Sequence, residues 1–484
     1  MEPDKGRLSL LNKALSIVYI VICLFFVFKN NPYLYSTETL KSIFHKEKQD
    51  IQAPVPTPQK GLLQTSDLKA TFMWRMNPSR SASHDPNETF NRKYEKLWAR
   101  DLWVDGDPLF RHARWSFDDS GFFLVADQPV LVATDPSGNL KWKLQLDEKN
   151  ALFSAQPAIT KTRVYATTTN GRVFCLDKQS GHIYWTIRAA SGTRGAPILI
   201  GDQLFFFAVE EEDLKKRTHL FSAHPETGEV TRVSKEDLGP INNLPPTVNE
   251  TLNALYVASE AGNLFALNYE SGKLLFKTST SDKILSGVIL AEKKAIFTTM
   301  DGKLVAVDAK SGTMAWETDL ESPSDSTPTF IPDYNLISVM TNNGYLQTVD
   351  INNGERKWKF LTHNGSPHHN TITLRLKGKW IEEHEMKWRY KGWVILAPCA
   401  EKRVCIYNPE RGQIVGRIYL DGPLTSETIV DGKEFMVSVL TKNKETGEET
   451  TQLLRLGEKN QVDKTTAAPS GGSPSKPAGD PEES

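Results

Sequence analysis

"LVAVDAKSGTMAWETDL", residues 304–320, holds an apolar run, then Asp308, a turn ending in Gly312, and a second run carrying Trp316. Two short apolar runs flanking a Gly-bearing turn describe a β-hairpin. The same grammar recurs along the chain as "VATDPSGNLKW", "FCLDKQSGHIYW", "FSAHPETGEVTR", "FALNYESGKLLF", "QTVDINNGERKW" and "CIYNPERGQIVG". The turn glycines are Gly138, Gly181, Gly228, Gly272, Gly312, Gly354 and Gly412, spaced by 43, 47, 44, 40, 42 and 58 residues. A period of about 40–45 residues made of short strands and tight turns is the signature of a β-propeller with four strands per blade.

Each position of the motif has a physical reason. Asp or Asn ending the third strand accepts hydrogen bonds from the turn backbone, and Gly supplies the positive φ of a tight hairpin. Trp on the fourth strand offers a large apolar face to the neighbouring blade. By this reading Trp98, Trp142, Trp185, Trp316 and Trp358 are blade-docking residues. The third unit has His224 and Arg232 in place of Asp and Trp, the fourth has Phe276 and the seventh Gly416, so looser or different packing is expected there.

The ends of the repeat set the blade count. After the seventh unit, "GKEFMVSVLTKNKETGEETTQLLRL" supplies two more strands without a Trp-bearing fourth, while upstream "EKLWARDL" stands alone and matches "MAWETDL". The predicted fold is all-β: an eight-bladed propeller whose last blade is completed by the N-terminal strand, which removes a free sheet edge.

Outside the repeat, residues 14–28 are uncharged and mostly apolar, with Lys5, Arg7 and Lys13 before them and the bulky "KNNPYLYS" after. This predicts an uncleaved N-terminal transmembrane helix rather than a signal peptide, with the basic tail cytoplasmic and the propeller on the non-cytoplasmic side. The expected organisation is a cytoplasmic tail at 1–13, a signal anchor at 14–31, a juxtamembrane helix and Pro-rich linker at 32–71, the propeller at 72–460 and a disordered tail at 461–484.

Composition is ordinary for a globular protein at 39% hydrophobic and 24% charged residues, and a net charge of −1 provides no basic field for nucleic acid. Four cysteines are too few for a disulfide scaffold or a thiolate metal cluster. Cys399 and Cys405, in "APCAEKRVC", are the one close pair; they form either a disulfide in an oxidising compartment or two reduced core thiols.

The D-x-x-x-G-x-x-x-W grammar resembles the PQQ-type, quinoprotein-like β-propeller repeats, shared by quinoprotein dehydrogenases and the BamB-like non-enzymatic branch. The resemblance covers about 390 residues, 72–460. In the dehydrogenases it implies a vicinal disulfide, a Ca²⁺ site held by Glu and Asn, and a catalytic Asp. This sequence has no Cys-Cys pair, and Asp135, Asp177, Asp308 and Asp350 belong to the turn motif. No catalytic, cofactor-binding or metal residue is therefore assigned, and no cofactor is expected.

Three other features of the sequence bear on function. "HNGSPHHN", with His363, His368 and His369, and the nearby "EEHE" offer metal-ligand types but no standard spacing, so a solvated loop is expected. "EEEDLKKR", Glu210 to Arg217, reads as an exposed hairpin extension. The insertion behind the 58-residue spacing, "LRLKGKWIEEHEMKWRYKGW", interleaves aromatic and basic residues, the usual anchors of interfaces. Trp380, Trp388, Arg389, Tyr390 and Trp393 are its candidate partner-binding residues. The functional expectation is a membrane-anchored, non-catalytic interaction scaffold in the cell envelope, whose partners are the membrane and other envelope proteins. The alternatives are a PQQ-dependent dehydrogenase and a ligand- or carbohydrate-binding sensor.

Overall fold

A computed structural model describes residues 83–84, 94–101, 114–125, 129–148, 151–212, 214–362, 370–383, 386–400, 402–425, 429–431, 434–442, 447 and 449–458. The strands form eight separate sheets, seven of four strands and one of five. Each is a blade: blade 1 spans 114–145, blade 2 158–188, blade 3 192–232, blade 4 247–279, blade 5 289–319, blade 6 329–361, blade 7 372–419 and blade 8 429–458. The fourth strand of blade 8 is Tyr94–Asp101, paired antiparallel with Glu449–Glu458, so that Tyr94 faces Glu458 and Asp101 faces Gln452.

The packing explains the sequence pattern. Eight buried hydrophobic clusters each join one blade to the next, including blade 8 to blade 1 through Met436, Leu453, Trp115 and Phe122. A middle strand is covered on both faces, so Lys303–Asp308 reads as the continuous run Leu304 to Val307, all buried. The outer strand Met314–Asp319 is covered on one face only, and its burial alternates, with Trp316 and Thr318 inside.

Asp308 Oδ1 accepts from the backbone N–H of Lys310 at 3.0 Å and of Ser311 at 2.8 Å, closing the turn. The Ser311 N–H and hydroxyl and the Lys310 N–H, in that company, hold the Asp308 carboxyl below its ordinary value against a smaller opposing effect of burial. Immediately after the turn, the pairing Val307↔Met314 is followed by Ala306↔Trp316, so Ala315 is an extra residue on the outer strand. The same bulge precedes the docking position in blades 1, 2, 4, 6, 7 and 8. A bulge re-aims the side chain that follows it, and here it turns the aromatic toward the next blade. Blade 3 pairs Ala223, Ser222 and Phe221 with Val230, Thr231 and Arg232 without a shift, so the blade that carries Arg232 in place of Trp lacks the bulge.

The inner strands are tied across blades by small hydroxyls. Ser116 Oγ donates to Pro157 O at 2.6 Å, Thr247 Oγ1 to Val288 O at 2.5 Å and Thr329 Oγ1 to Thr371 O at 2.6 Å, each reaching from one blade to the next. Among the described residues no helix is long and apolar enough to cross a membrane; the apolar run at 14–28 lies outside them.

Candidate functional site

The docking tryptophans sit at the blade joints. Trp142 Nε1 donates to Lys178 O at 3.1 Å, Trp185 to Pro225 O at 3.0 Å, Trp316 to Ile351 O at 2.8 Å and Trp358 to Pro409 O at 2.6 Å. In each case the acceptor follows the Asp, His or Asn that ends the next blade's third strand. Each ring also lies against the next blade's turn glycine: a Cβ on Gly354 would stand 2.9 Å from the Trp316 ring, and one on Gly181 2.6 Å from that of Trp142. Trp98 reaches Gly138 in the same manner but is only partly buried, and the equivalent carbonyl, Pro136 O, is taken by Arg455 Nη1 at 2.9 Å. Where Phe276 replaces Trp, the carbonyl of Ala309 receives the Tyr256 hydroxyl at 2.6 Å instead. In blade 7 the bulk is exchanged across the pair, with Ile406 opposite Gly416.

One joint holds a contact that sequence reasoning missed. Lys178 is 1% exposed; its ammonium pairs with Asp118 of blade 1 and donates to Thr160 O at 2.8 Å. A lysine in a turn motif reads as solvated, and only its tertiary neighbours bury it.

The largest departure from the repeat is blade 7. Its first two strands, Ile372–Glu383 and Met386–Ala400, are 12 and 15 residues long, whereas the third, Arg403–Tyr407, has 5. The third strand pairs only with the segment from Ile395 to Ala400. Residues 377–383 and 386–391 therefore form a two-stranded ribbon beyond the blade, with Lys377 opposite Lys391, Lys379 opposite Tyr390, Trp380 opposite Arg389, Ile381 opposite Trp388 and Glu382 opposite Lys387. Residues directly opposite in an antiparallel pair share a side, and neighbours along a strand take opposite sides. By this register Lys379, Ile381, Trp388 and Tyr390 fall on one side of the ribbon, and Lys377, Trp380, Glu382, Lys387, Arg389 and Lys391 on the other. The register thus places Trp388 and Tyr390 on the side of Lys379, and Trp380 on the side of Lys377, Lys387, Arg389 and Lys391, so aromatic and basic positions occur on both sides. The side of Trp388 continues the face that, within the blade, packs on blade 8 through Leu374, Val394 and Leu396. The side of Arg389 continues the face that packs on blade 6 through Trp393 and Ile395.

Four of the five candidate partner-binding residues, Trp380, Trp388, Arg389 and Tyr390, lie on the ribbon. Trp393 does not. It is 4% exposed in the core between blades 6 and 7, so it is a packing residue, placed there because the ribbon ends two residues earlier.

Cys399 and Cys405 are joined by a disulfide that links the second and third strands of blade 7 at the end remote from the ribbon. Cys175 is buried, and desolvation pushes its thiol up to about 12, which makes it a poor nucleophile. The charged extension of blade 3 forms the cross-strand pairs Glu210↔Arg217, Glu211↔Lys216 and Glu212↔Lys215, with Leu214 fully out in solvent at the tip. In a four-stranded blade the turn between strands one and two and the turn between strands two and three lie on opposite faces. The ribbon belongs to the first kind and the blade 3 extension to the second, so they project from opposite faces of the ring, four blades apart. Among the described residues no group of three or more His, Cys, Asp and Glu is arranged for a metal ion. His363, His368 and His369 lie outside those residues.

A family model described as "Outer membrane protein assembly factor BamB" matches residues 126–283, 226–358 and 278–433, in overlapping segments that follow the blade repeat. The chain belongs to this PQQ-type propeller family. Similarity to individual members is modest: 27% identity over 263 residues with the BamB of Escherichia coli, covering 47% of this chain and 63% of that one. A quinohemoprotein alcohol dehydrogenase of Pseudomonas putida is 25% identical over 156 residues, covering 28% of this chain and 21% of that protein. The chain spans less than half the length of the first curated relatives it matches, 43% for the BamB of Moranella endobia and 29% for that of Shewanella oneidensis. Among solved structures, a europium-containing methanol dehydrogenase aligns with a TM-score of 0.62 at 10% identity, over 80% of this chain and 97% of that one. The BamB of Moraxella catarrhalis aligns with 0.52 at 13% identity, over 76% and 100%. At such identities the structural likeness concerns the fold.

Proposed function

We propose that this protein is a non-catalytic interaction scaffold of the cell envelope, tethered by an N-terminal membrane anchor at residues 14–31, with the blade 7 ribbon as its partner-binding surface. The observation that carries this reading is the ribbon itself. Among the described residues it is the longest extension of the repeat, with strands of 12 and 15 residues, and its register places Trp388 and Tyr390 on one side and Trp380, Lys387, Arg389 and Lys391 on the other. Aromatic residues and arginine are the residue types on which interface energy concentrates. Relatives named as outer membrane protein assembly factors support an envelope role and other envelope proteins as partners. The disulfide suits an oxidising compartment outside the cytoplasm. The domain plan read from the sequence, with a linker at 32–71 and a tail at 461–484, is part of the same proposal.

The dehydrogenase relatives supply a second reading. It is disfavoured by the chain's own residues: there is no adjacent cysteine pair, and Asp177, Asp308 and Asp350 are committed to their turns.

The test is affinity capture from native membranes with the full chain and with a chain in which residues 377–391 are replaced by a short turn. Envelope proteins retained by the first and lost by the second are expected. An identical set from both chains defeats the ribbon as the binding surface, and dye reduction by the purified protein after addition of PQQ and Ca²⁺ defeats the non-catalytic reading.

A further inference from the structure

We propose that the face of the ring bearing the blade 3 extension rests on a lipid bilayer, with Leu214 and the patch of Phe360, Leu361 and Tyr419 set into the bilayer's interfacial layer. The proposal goes beyond the scaffold reading and takes from it only the anchor that brings the ring to a membrane.

The first observation is a leucine for which the fold has no use. Leu214 lies in the turn between the second and third strands of blade 3, is 95% exposed and has a φ of 62°. The left-handed region suits Gly or Asn and is unfavourable for a leucine, so neither backbone preference nor burial accounts for it. Behind it Glu211 stands opposite Lys216, so the extension carries its apolar tip on paired charges.

The second observation is a break in the repeat. The outer strand ends in a polar residue in blades 1, 2, 4, 5 and 8, at Gln145, Arg188, Ser279, Asp319 and Asp101. In the adjacent blades 6 and 7 it ends in Leu361 and Tyr419, which are 42% and 69% exposed, and Phe360 beside Leu361 is 40% exposed. Leu140, Leu275 and Met314 are also exposed, but one to a blade and at the opposite end of their outer strands. Single exposed apolar residues are ordinary, whereas neighbouring ones mark a contact surface. Basic groups stand beside the rings of this patch: the Arg403 guanidinium is 6.0 Å from the centre of Tyr419, and the Lys359 ammonium 4.0 Å from that of Tyr345. Glu321 nearby is neutralised by Lys359 at 2.8 Å and by Arg356. Tyrosine with adjoining basic residues is the composition of a membrane interface.

The third observation is that these features share a face, and that the chain comes to the ring on it. Leu361 is opposite Tyr345 and Tyr419 opposite Arg403, the first residues of their blades' third strands, so both lie beside the turn between strands two and three, as Leu214 does. Blades 3 and 6–7 are well separated around the ring, and a flat partner meets both at once. Ser83–His84 runs parallel to Thr373–Leu374 in the first strand of blade 7, and a first strand begins on this same face. The N-terminal end of Ser83–His84 therefore points to the face that carries Leu214, and the apolar run at 14–28 precedes it in the chain. The blade 7 ribbon, on the other face, is left turned away from the bilayer and accessible to envelope proteins.

The test uses the full-length protein with Cys23→Ser in phosphatidylcholine nanodiscs, labelled with the fluorophore NBD at Leu214→Cys, at Tyr419→Cys or, on the other face, at Lys310→Cys. Iodide should quench the label at 214 and at 419 severalfold less than at 310. Equal quenching at the three positions overturns the proposal. The unlabelled chain supplies a second readout: trypsin should cut after Lys215 and Lys216 severalfold more slowly in the nanodisc than in detergent, and equal rates overturn the proposal. Shielding that arises only when native envelope proteins are added, and not in lipid alone, assigns the surface to a protein and also overturns it. Release of the chain from native membranes by alkaline carbonate defeats the anchor but not this face. Phosphatidylcholine vesicles added to the released protein should then still shield 214 and 419, and their failure to do so overturns the proposal.

Discussion

Gly312 answers to two constraints at once. Its φ of 72° is the left-handed conformation that the hairpin needs. A Cβ there would also stand 2.3 Å from the Phe276 ring of the preceding blade. The first reason is visible from the turn motif; the second belongs to a residue 36 positions away and is invisible without the joint. The docking residues follow the same logic, and their burial ranks them. Trp316 is 8% exposed and donates to Ile351 O, so Trp316→Ala should cost roughly 3–5 kcal/mol in urea unfolding. Trp98 is only partly buried and its counterpart carbonyl is held by Arg455, so Trp98→Ala should cost distinctly less. Equal losses from the two variants would mean that the joints are energetically alike despite this difference. At Asp308, hydrogen bonds from Ser311 and Lys310 hold the carboxyl below its ordinary value of 3.8. A lowered carboxyl stabilises the fold above that ordinary value, and the contribution is lost as pH falls through the lowered one. The stability gap between the wild type and Asp308→Asn should therefore be full at neutral pH and shrink below the ordinary value. A gap unchanged across an acid titration of the urea midpoint would remove the linkage.

Among elements, the strand Tyr94–Asp101 decides whether the ring closes. It pairs with Glu449–Glu458 from Gln452 to Glu458 and brings Trp98 to the joint with blade 1. Deleting residues 1–71 should leave a cooperatively melting monomer. Deleting 1–104 strips the outer strand from blade 8, exposes the edge of Glu449–Glu458 and should lead to aggregation, as seen by circular dichroism and size exclusion. A soluble, cooperatively melting monomer from the longer deletion would show that the outer strand is dispensable for closure. The bulge before each docking residue is another feature of this scale. Its sequence correlate is a three-residue interval between the turn glycine and the aromatic, yet blade 3 has the same interval and no bulge before Arg232. It bonds within its own blade to Glu210 and His219.

For the whole molecule, compartment and orientation depend on the apolar run at 14–28, for which the proposal is a retained anchor with the propeller outside the cytoplasm. Terminal sequencing of the mature protein should begin at Met1 or Glu2, and protease added from outside the cytoplasm should digest the propeller. A mature start near residue 36, or full protection, would refute the anchored topology. In that setting the ring presents two different faces, with the charged blade 3 extension on one and the blade 7 ribbon on the other.

The repeat alone determined the architecture. A glycine every 40 to 47 residues through Gly354, with an apolar strand before it and an aromatic after it, admits few solutions that bury so many short strands, and the unmatched strand upstream forces closure from the N-terminus. The seven-fold recurrence made the motif legible even where single residues departed from it. What depends on neighbours distant in sequence was decided only by the tertiary structure. Lys178 is buried because Asp118 and Thr160 meet it across a joint, and Trp393 is core because blade 6 covers it. Which ribbon positions share a side is set by strand register, which a string of letters does not contain and which puts Trp388 opposite Ile381 and Arg389 opposite Trp380. Local periodicity encodes which residues form strands; only the pairing of those strands determines which residues share a side.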